Sequence, residues 1–516
     1  MSAREEKYDR QIRLWAHAGQ ARLAQAHICL INANAAGTET LKNLVLPGVG
    51  AFTVLDDRTV TESDLSGNFF IENEHLGINI ARATAECLQE LNPDVKGLYS
   101  EWLLGKALES PEWWARFTTV VVSGYTPPEL LERLKAVLWD LSIPLLFIAT
   151  SGFYASLTVL ARETTIVETH DPSKTYDLRI DCPWPELYQY CALFDMDLLD
   201  DTEHAHVPYI VIFIKALDKW RLDHAGIAPL NYAEKREFRS NYIEKMSRNI
   251  SLETNFIEAL QSVHRALQIT LVPSSVKQIL SRSECLEIGA KTPEFWLYVR
   301  ALSLFLDVND GKLPLPGNIP DMASTTSNYV QLQAIYRQKA ETDKAKFILE
   351  LKKVFAQAGK LQEEIDQDLV ASFCKNAAFL YATNGSNDLV SQLLTRQLKA
   401  LIVGDSENAA HNELAIYFGM LALHKWLSLG KCRGFSSFVD CFKQVARLSG
   451  DEITASVVST LKEIFTHDVE GYHNICSLIG GIAGQEALKI ATAQYIPLDN
   501  LYIFDGVRST SSKWKI

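Results

Sequence analysis

The sequence predicts a doubly wound α/β sheet interrupted by a large, mainly helical insertion, and three observations carry the prediction. Short apolar runs alternate with helix-period stretches to about residue 168. Helix period then dominates to about residue 468, and strand character returns near the C-terminus. The expected organisation is one α/β domain made of 1–168 and 469–516, with 169–468 inserted into it.

The first unit sets the pattern. Ile28 to Ile31 is an apolar run suited to a buried parallel strand, and Thr38 to Val45 has helical spacing that ends at Pro47-Gly48. Phe52 to Leu55 is the second strand and closes in Asp56-Asp57. This is the outline of a nucleotide-binding β-turn-α-β unit, in which glycines let the backbone crowd a phosphate at the helix N-terminus. An acidic residue after the second strand takes the ribose hydroxyls. Here Asn32, Asn34 and Ala35 stand where such a loop prefers glycine, Gly37 alone survives, and Asp57 is the acidic remnant. The turn reads as one that has lost its nucleotide; a βαβ unit that never held one is the alternative.

Ahead of the first strand, Tyr8-Asp9-Arg10-Gln11-Ile12-Arg13-Leu14-Trp15 is amphipathic. Ile12, Leu14, Trp15 and Leu23 are expected to pin it to the domain, and by itself it reads as a capping helix with solvated arginines. Beyond Asp57, a helical stretch from Leu76 to Leu91 is stopped by Asn92-Pro93. Phe117 to Val122 reads as a strand, Leu130 to Leu141 as a helix and Pro144 to Ala149 as another buried strand. His170 to Leu187 is irregular and proline-bearing, as a domain boundary would be. Tyr209 to Trp220, Leu252 to Leu267 and Tyr329 to Ala356 have helical period, and the lack of an internal repeat argues against a solenoid. Tyr472 to Ile490 is an apolar helix with small residues, and Tyr502 to Phe504 returns to strand.

With 516 residues, 47% hydrophobic and 22% charged, the chain has the composition of a globular protein. A net charge of -13 argues against nucleic-acid and anionic-membrane binding, and no apolar run is long enough to span a bilayer. The opening residues lack an apolar signal core, so a cytoplasmic or nuclear location is expected. Nine cysteines include no Cys-x-x-Cys pair, which disfavours structural zinc. His204 and His206 lack a nearby third ligand and are read as structural, so no metal site is expected.

Tyr8 to Trp15, Asn32 to Asp57, Leu76 to Pro93, Pro144 to Gly152 and Gly480 to Asp505, in that order, resemble the ubiquitin-activating enzyme family. The resemblance implies its Rossmann-like adenylation fold, of the ThiF/MoeB type. Pro183 to Leu187, His204 to Val211 and Asn318 to Ala323 look like the regulatory subunits of the enzyme that activates the Nedd/Rub ubiquitin-like modifier. An active half of that family carries Gly-x-Gly-Gly-x-Gly, an Asn-x-x-Arg-Gln run, a lysine in the next helix and an aspartate after the next strand. This chain answers with Asn32 to Gly37, Gly67-Asn68, Ile80 and Ser123-Gly124, and none of its cysteines lies in the family's Cys-Thr context.

The resemblance therefore implies a non-catalytic subunit that binds no cofactor itself. ATP and magnesium would sit in the catalytic partner of a heterodimer, which adenylates the modifier and takes it as a thioester. Arg10, with Arg13 as second candidate, would reach the partner's triphosphate in trans. Gly480, Gly481 and Gln485, together with the Leu41 to Val49 passage, are the expected interface. Tyr329, Leu332 and Tyr336 are added by likeness to the regulatory subunits. Two alternatives stand beside this: the regulatory half of the SUMO-activating enzyme, and an independent adenylating or dinucleotide-dependent enzyme with a divergent glycine loop.

Overall fold

The computed structural model describes residues 6–171, 176–403, 413–430, 434–448 and 453–516, with the side chains of 401–403 left out. The chain forms two compact units, Met1–Ile166 with Ala382–Ile516, and Val167–Tyr381.

The first unit opens with α1 (Asp9–Gln25), kinked where Ala16 takes a φ of 56°. Strand β1 (His27–Ile31) leads through a tight turn into α2 (Ala35–Val45), and β2 (Ala51–Leu55) follows. Next come α3 (Glu62–Gly67), α4 (Ile80–Leu91), β3 (Lys96–Ser100), β4 (Thr119–Ser123), α5 (Pro128–Asp140), β5 (Leu145–Ser151), β6 (Tyr154–Leu160) and β7 (Glu163–Ile166). The α4 helix starts later than the Leu76 read from periodicity, because the Asn79 side chain accepts the Arg82 amide and caps it there. Strand β3 escaped the sequence reading. It is the sheet edge, and exposed Lys96 and Tyr99 give it a weak apolar signal and a charged rim.

Among the described residues the helices of the second unit that run to eight residues or more are α6 (Pro185–Ala192), α7 (Tyr209–Asp223), α8 (Thr254–Gln261), α9 (Glu294–Val308), α10 (Thr326–Gln357) and α11 (Gln367–Asn376). Its core gathers around α7, with Trp220, Phe213, Phe256, Leu332 and Tyr336 all buried. His204 and His206 each hold a local partner. The His204 Nδ1 lies 2.5 Å from the buried Glu253 carboxylate, and the His206 Nδ1 lies 2.7 Å from the Thr202 carbonyl oxygen.

After β8 (Tyr381–Asn384) the chain supplies α12 (Gln392–Val403), α13 (Glu413–Ser428), α14 (Phe435–Val445), α15 (Ala455–His467) and α16 (His473–Thr492). Strands β9 (Leu501–Asp505) and β10 (Thr510–Trp514) close the fold. The main sheet runs β10-β9-β6-β5-β4-β1-β2-β3. Strands β1 to β5 are mutually parallel, and β6 turns antiparallel to both β5 and β9.

The C-terminal boundary of the insertion is corrected from 468 to 381, and the N-terminal break falls at 166. The reason lies in the two faces of the sheet. Ile28, Leu30, Phe52, Val54 and Val121 point into a core shared with α1, α2, α4 and α16. Cys29, Ile31, Leu55, Val120 and Val122 point the other way, onto Tyr417, Phe418, Phe438 and Leu461 of α13 to α15. Parallel strands that are apolar throughout need cover on both faces, and α13, apolar all round, provides it. Helical periodicity alone cannot say that these helices belong to the sheet.

Candidate functional site

The turn between β1 and α2 is where a nucleotide's phosphates would lie, and side chains of the chain itself fill it. Asn34 caps α2: its Oδ1 accepts the Gly37 amide at 3.0 Å, one of the N–H groups that a phosphate would otherwise take. The same oxygen accepts the Ser123 hydroxyl at 2.5 Å from the end of β4. Gly124 has a φ of 71°, and a Cβ there would meet the Asn34 Nδ2 at 2.7 Å, so the asparagine lies directly over it. Asn32 adopts the left-handed conformation at φ 64°, which asparagine tolerates better than most residues. Its Nδ2 donates to the Tyr125 carbonyl at 3.0 Å and the Thr126 hydroxyl at 3.2 Å. Ala35 is the first helical residue. Gly37 is retained for packing, since a Cβ would stand 2.8 Å from Leu30 and 3.1 Å from the Ser123 Cβ.

The acidic residue at the end of β2 that faces this turn is Asp56, and this corrects the sequence reading of Asp57, which is exposed. Asp56 is buried and accepts the Ala33 amide at 2.9 Å and the Arg58 guanidinium at 2.7 Å. Two adjacent aspartates look alike in sequence; the strand register decides which of them turns inward.

A cleft of about 550 Å³ remains above the turn, walled by Asn32, Asn34, Arg58 and Asn68 on one side and His467, Glu470, Tyr472 and His473 on the other. Arg58 is the one lysine or arginine among its described lining residues, and Asp56 holds it. Asn68 turns its amide inward, 3.0 Å from the Thr38 hydroxyl. His473 stacks on Phe69 at 3.5 Å between ring centres, and its Nδ1 lies 3.1 Å from the Gly67 carbonyl oxygen. The segment standing where Arg-Gln is expected is therefore fastened to α16. Ile80, at the family's lysine position, is fully buried. The arrangement can hold its own backbone, and among the described residues its one cation, Arg58, is held by Asp56, while the exposed Glu470 carboxylate accepts the Ser63 hydroxyl at 3.1 Å.

The sequence reading did not find Ser123, Asp56, Arg58 or His473 as parts of this network. The available signal was Asn-x-x-Gly at a helix start, which is a capping pattern as much as a damaged glycine loop.

The described thiols are mostly buried. Cys29, Cys191, Cys285, Cys374, Cys441 and Cys476 are buried, and Cys87 and Cys182 are half-buried. Burial pushes Cys191 and Cys374 up to about 12 and Cys285 and Cys476 up to about 11, away from the thiolate that a nucleophile needs. Cys432 lies outside the described residues.

Arg10 is exposed, and among the described residues it forms no hydrogen bond or ion pair. Arg13 pairs with Asp9 at 2.8 Å. The backbone carrying both is anchored by Tyr8, which is buried against Gly48 with its hydroxyl 3.1 Å from Asp94, and by Trp15 and Leu23. Leu14, expected to pin the segment, is exposed.

The expected interface residues divide. Gly480 sits at the crossing of α16 over α2, where a Cβ would meet the Glu39 Cβ at 2.6 Å, so an internal helix occupies its face. Leu41, Leu44, Val45 and Val49 are buried in the same layer. Leu332 and Tyr336 are core residues of the helical unit. Tyr336 donates to the Leu178 carbonyl at 2.5 Å and meets Trp184 edge-on, and Tyr329 is partly buried against the same core. Small residues at helical spacing mark any tight helix contact, internal or external, which is why the sequence placed Gly480 at an interface, whereas Tyr329, Leu332 and Tyr336 were placed there only by likeness to the regulatory subunits. Gly481, with open space around it, and exposed Gln485 remain on the outer face of α16.

The family model described as "ThiF family" matches residues 8–516. The NEDD8-activating enzyme E1 regulatory subunit of Xenopus laevis is 36% identical over 99% of this chain and 99% of its own length. The subunit of the same name from Drosophila melanogaster is 34% identical, covering 100% of this chain and 98% of the relative. The Arabidopsis thaliana regulatory subunit AXR1 is 30% identical over 99% and 96%.

Proposed function

The chain belongs to the ThiF family and, within it, to the NEDD8-activating enzyme E1 regulatory subunits, and from that premise we propose that it performs no adenylation itself and completes the ATP site of a catalytic partner in trans. The observation that carries this reading is Asn34, whose side chain takes the helix N-terminal amide and the Ser123 hydroxyl and lies over Gly124. A phosphate would have to displace that side chain and would find no free cation to replace the bonds lost. The role in protein neddylation follows from the three relatives above, each named for that modifier rather than for SUMO.

In this reading the catalytic subunit holds ATP and magnesium, adenylates the C-terminus of the modifier and takes it as a thioester. Arg10 supplies positive charge across the heterodimer, and its guanidinium is suited to paired hydrogen bonds with phosphate oxygens. The exposed, unpartnered state of Arg10 supports the role, because a surface arginine kept for its own fold would be expected to carry a local partner as Arg13 does. Calorimetric titration of the isolated chain with Mg-ATP tests the first half: no saturable heat is expected, and micromolar binding would overturn it. An independent adenylating enzyme would bind Mg-ATP in the same titration, and a dinucleotide-dependent one would bind NAD in its place.

A further inference from the structure

The helical unit contains a second cavity, of about 190 Å³, whose lining shares no residue with the cleft described above. Its walls come from the 176–180 segment, the 268–273 segment that follows the α8 region, the 312–316 segment before α10, and the end of α11. We propose that it is a binding pocket for a compact phosphate-type anion, inorganic phosphate, pyrophosphate or a small phosphomonoester, held by Arg265, Lys312 and Lys375.

The charges around it are unevenly matched. Arg179 is consumed internally, with its guanidinium 3.3 Å from Asp177 and also bonded to the Leu313 carbonyl, so it forms wall rather than receptor. Arg265 donates one N–H to the Tyr209 hydroxyl at 2.5 Å and lies over the rings of Tyr176 and Tyr209, at 5.5 and 5.9 Å. Among the described residues no carboxylate pairs with it, and the rest of its fork of donors remains to be used. Among the described residues neither Lys312 nor Lys375 forms an ion pair. Asp181 stands behind the wall with its carboxylate taken by the Thr270 amide at 2.7 Å and hydroxyl at 2.6 Å. Even with Asp181 counted, four cations face two carboxylates, in a chain whose net charge is -13.

A concavity that gathers one sign of charge between low-dielectric walls concentrates the opposite ion. Guanidinium and ammonium together match a tetrahedral oxyanion, the first by its paired donors and the second as a point charge. The volume limits the ligand: 190 Å³ falls below the roughly 300–1,000 Å³ of pockets that take drug-sized molecules, so a whole nucleotide is too large.

The test is calorimetry on the full chain in low-salt buffer free of phosphate and sulfate, with inorganic phosphate and pyrophosphate as probes. Saturable one-to-one binding is expected, weakened about tenfold by each of Lys375→Gln, Lys312→Gln and Arg265→Met, the usual scale for one charge-assisted contact. Lys375 is exposed, so Lys375→Gln keeps the fold even where Arg265→Met does not. Lys106→Gln, a cation of the α/β unit lying over Trp102, is the control and is expected to bind as the parent does. Non-saturating heats, undiminished binding by the three variants, or an equal loss with Lys106→Gln would overturn the proposal. So would a phosphoserine peptide that binds more tightly than free phosphoserine, since the occupant would then be a protein segment.

Discussion

The turn after β1 and the segment before it treat polar groups in opposite ways. In the turn, Asn32, Asn34, Asp56, Asn68 and Ser123 spend their hydrogen bonds on one another or on nearby backbone and hydroxyls, so the site is closed by its own residues. In the segment before β1, Tyr8 is buried to anchor the backbone while Arg10 stands exposed with no partner among the described residues. A site that has lost its ligand must satisfy its own donors and acceptors or bear the cost of leaving them unpaired. A residue that serves another molecule keeps its bonds free. On the function proposed above, the contrast marks the turn as the site that gave up its ligand and Arg10 as the group offered to the partner.

The largest expected effect is on the open side. In the heterodimer with the catalytic subunit, Arg10→Ala should leave the fold and the assembly intact and slow modifier-adenylate formation by up to about 10³-fold, the scale of an arginine finger. Arg10→Lys should restore part of it, because a lysine offers charge without the planar fork. Pyrophosphate exchange by the purified heterodimer reads both, and full activity of the alanine variant would return Arg10 to a surface charge.

Next is a pH effect beside the closed turn. His424 of α13 is buried, with its Nδ1 3.4 Å from the Thr126 carbonyl oxygen, and burial pulls its pKa from the usual 6.5 to about 4. The unfolded chain takes up the proton below pH 6.5 while the folded chain refuses it until about pH 4, so stability falls as pH drops through that window. The loss is on the order of 3 kcal/mol across the window. His424→Leu should flatten the dependence of the urea midpoint on pH between 6.5 and 4.5, and an unchanged slope would remove His424 as its source.

The two neighbouring glycines of α16 sharpen the same comparison. Gly480→Leu should cost about 1–3 kcal/mol or more in thermal stability by overpacking the crossing with α2. Gly481→Arg should leave the melting temperature unchanged and reduce co-purification of the partner, since space is open around it. Equal destabilisation by both would mean that the outer face of α16 is not free.

The smallest effect is at the plug itself. Asn34→Ala should cost about 1 kcal/mol through loss of the helix cap, and Asn34→Gly only a few tenths. Neither should bring Mg-ATP binding to the isolated chain, because Arg58 remains held by Asp56 and Ile80 remains apolar. Calorimetric binding by Asn34→Gly would show that the side chain alone had closed the site.

Three strands were legible as apolar runs because they are buried on both faces, Ile28 to Ile31, Phe52 to Leu55 and Pro144 to Ala149, whereas β6, equally buried, was not, since Ser156 and Thr158 interrupt its run. Edge strand β3 was not, since an edge exposes part of its surface and its alternation blurs. The sequence alone also determined that the turn had traded glycine for asparagine, and that an arginine stood before it, since both are matters of residue identity and spacing. Three decisions needed the tertiary structure. Strand register selected Asp56 over Asp57; the second sheet face claimed α12 to α15 from the insertion; and the α2–α16 crossing took Gly480 for the interior while leaving Gly481 outside. Each depends on which side of an element meets another, and periodicity reports that a buried side exists without naming what buries it.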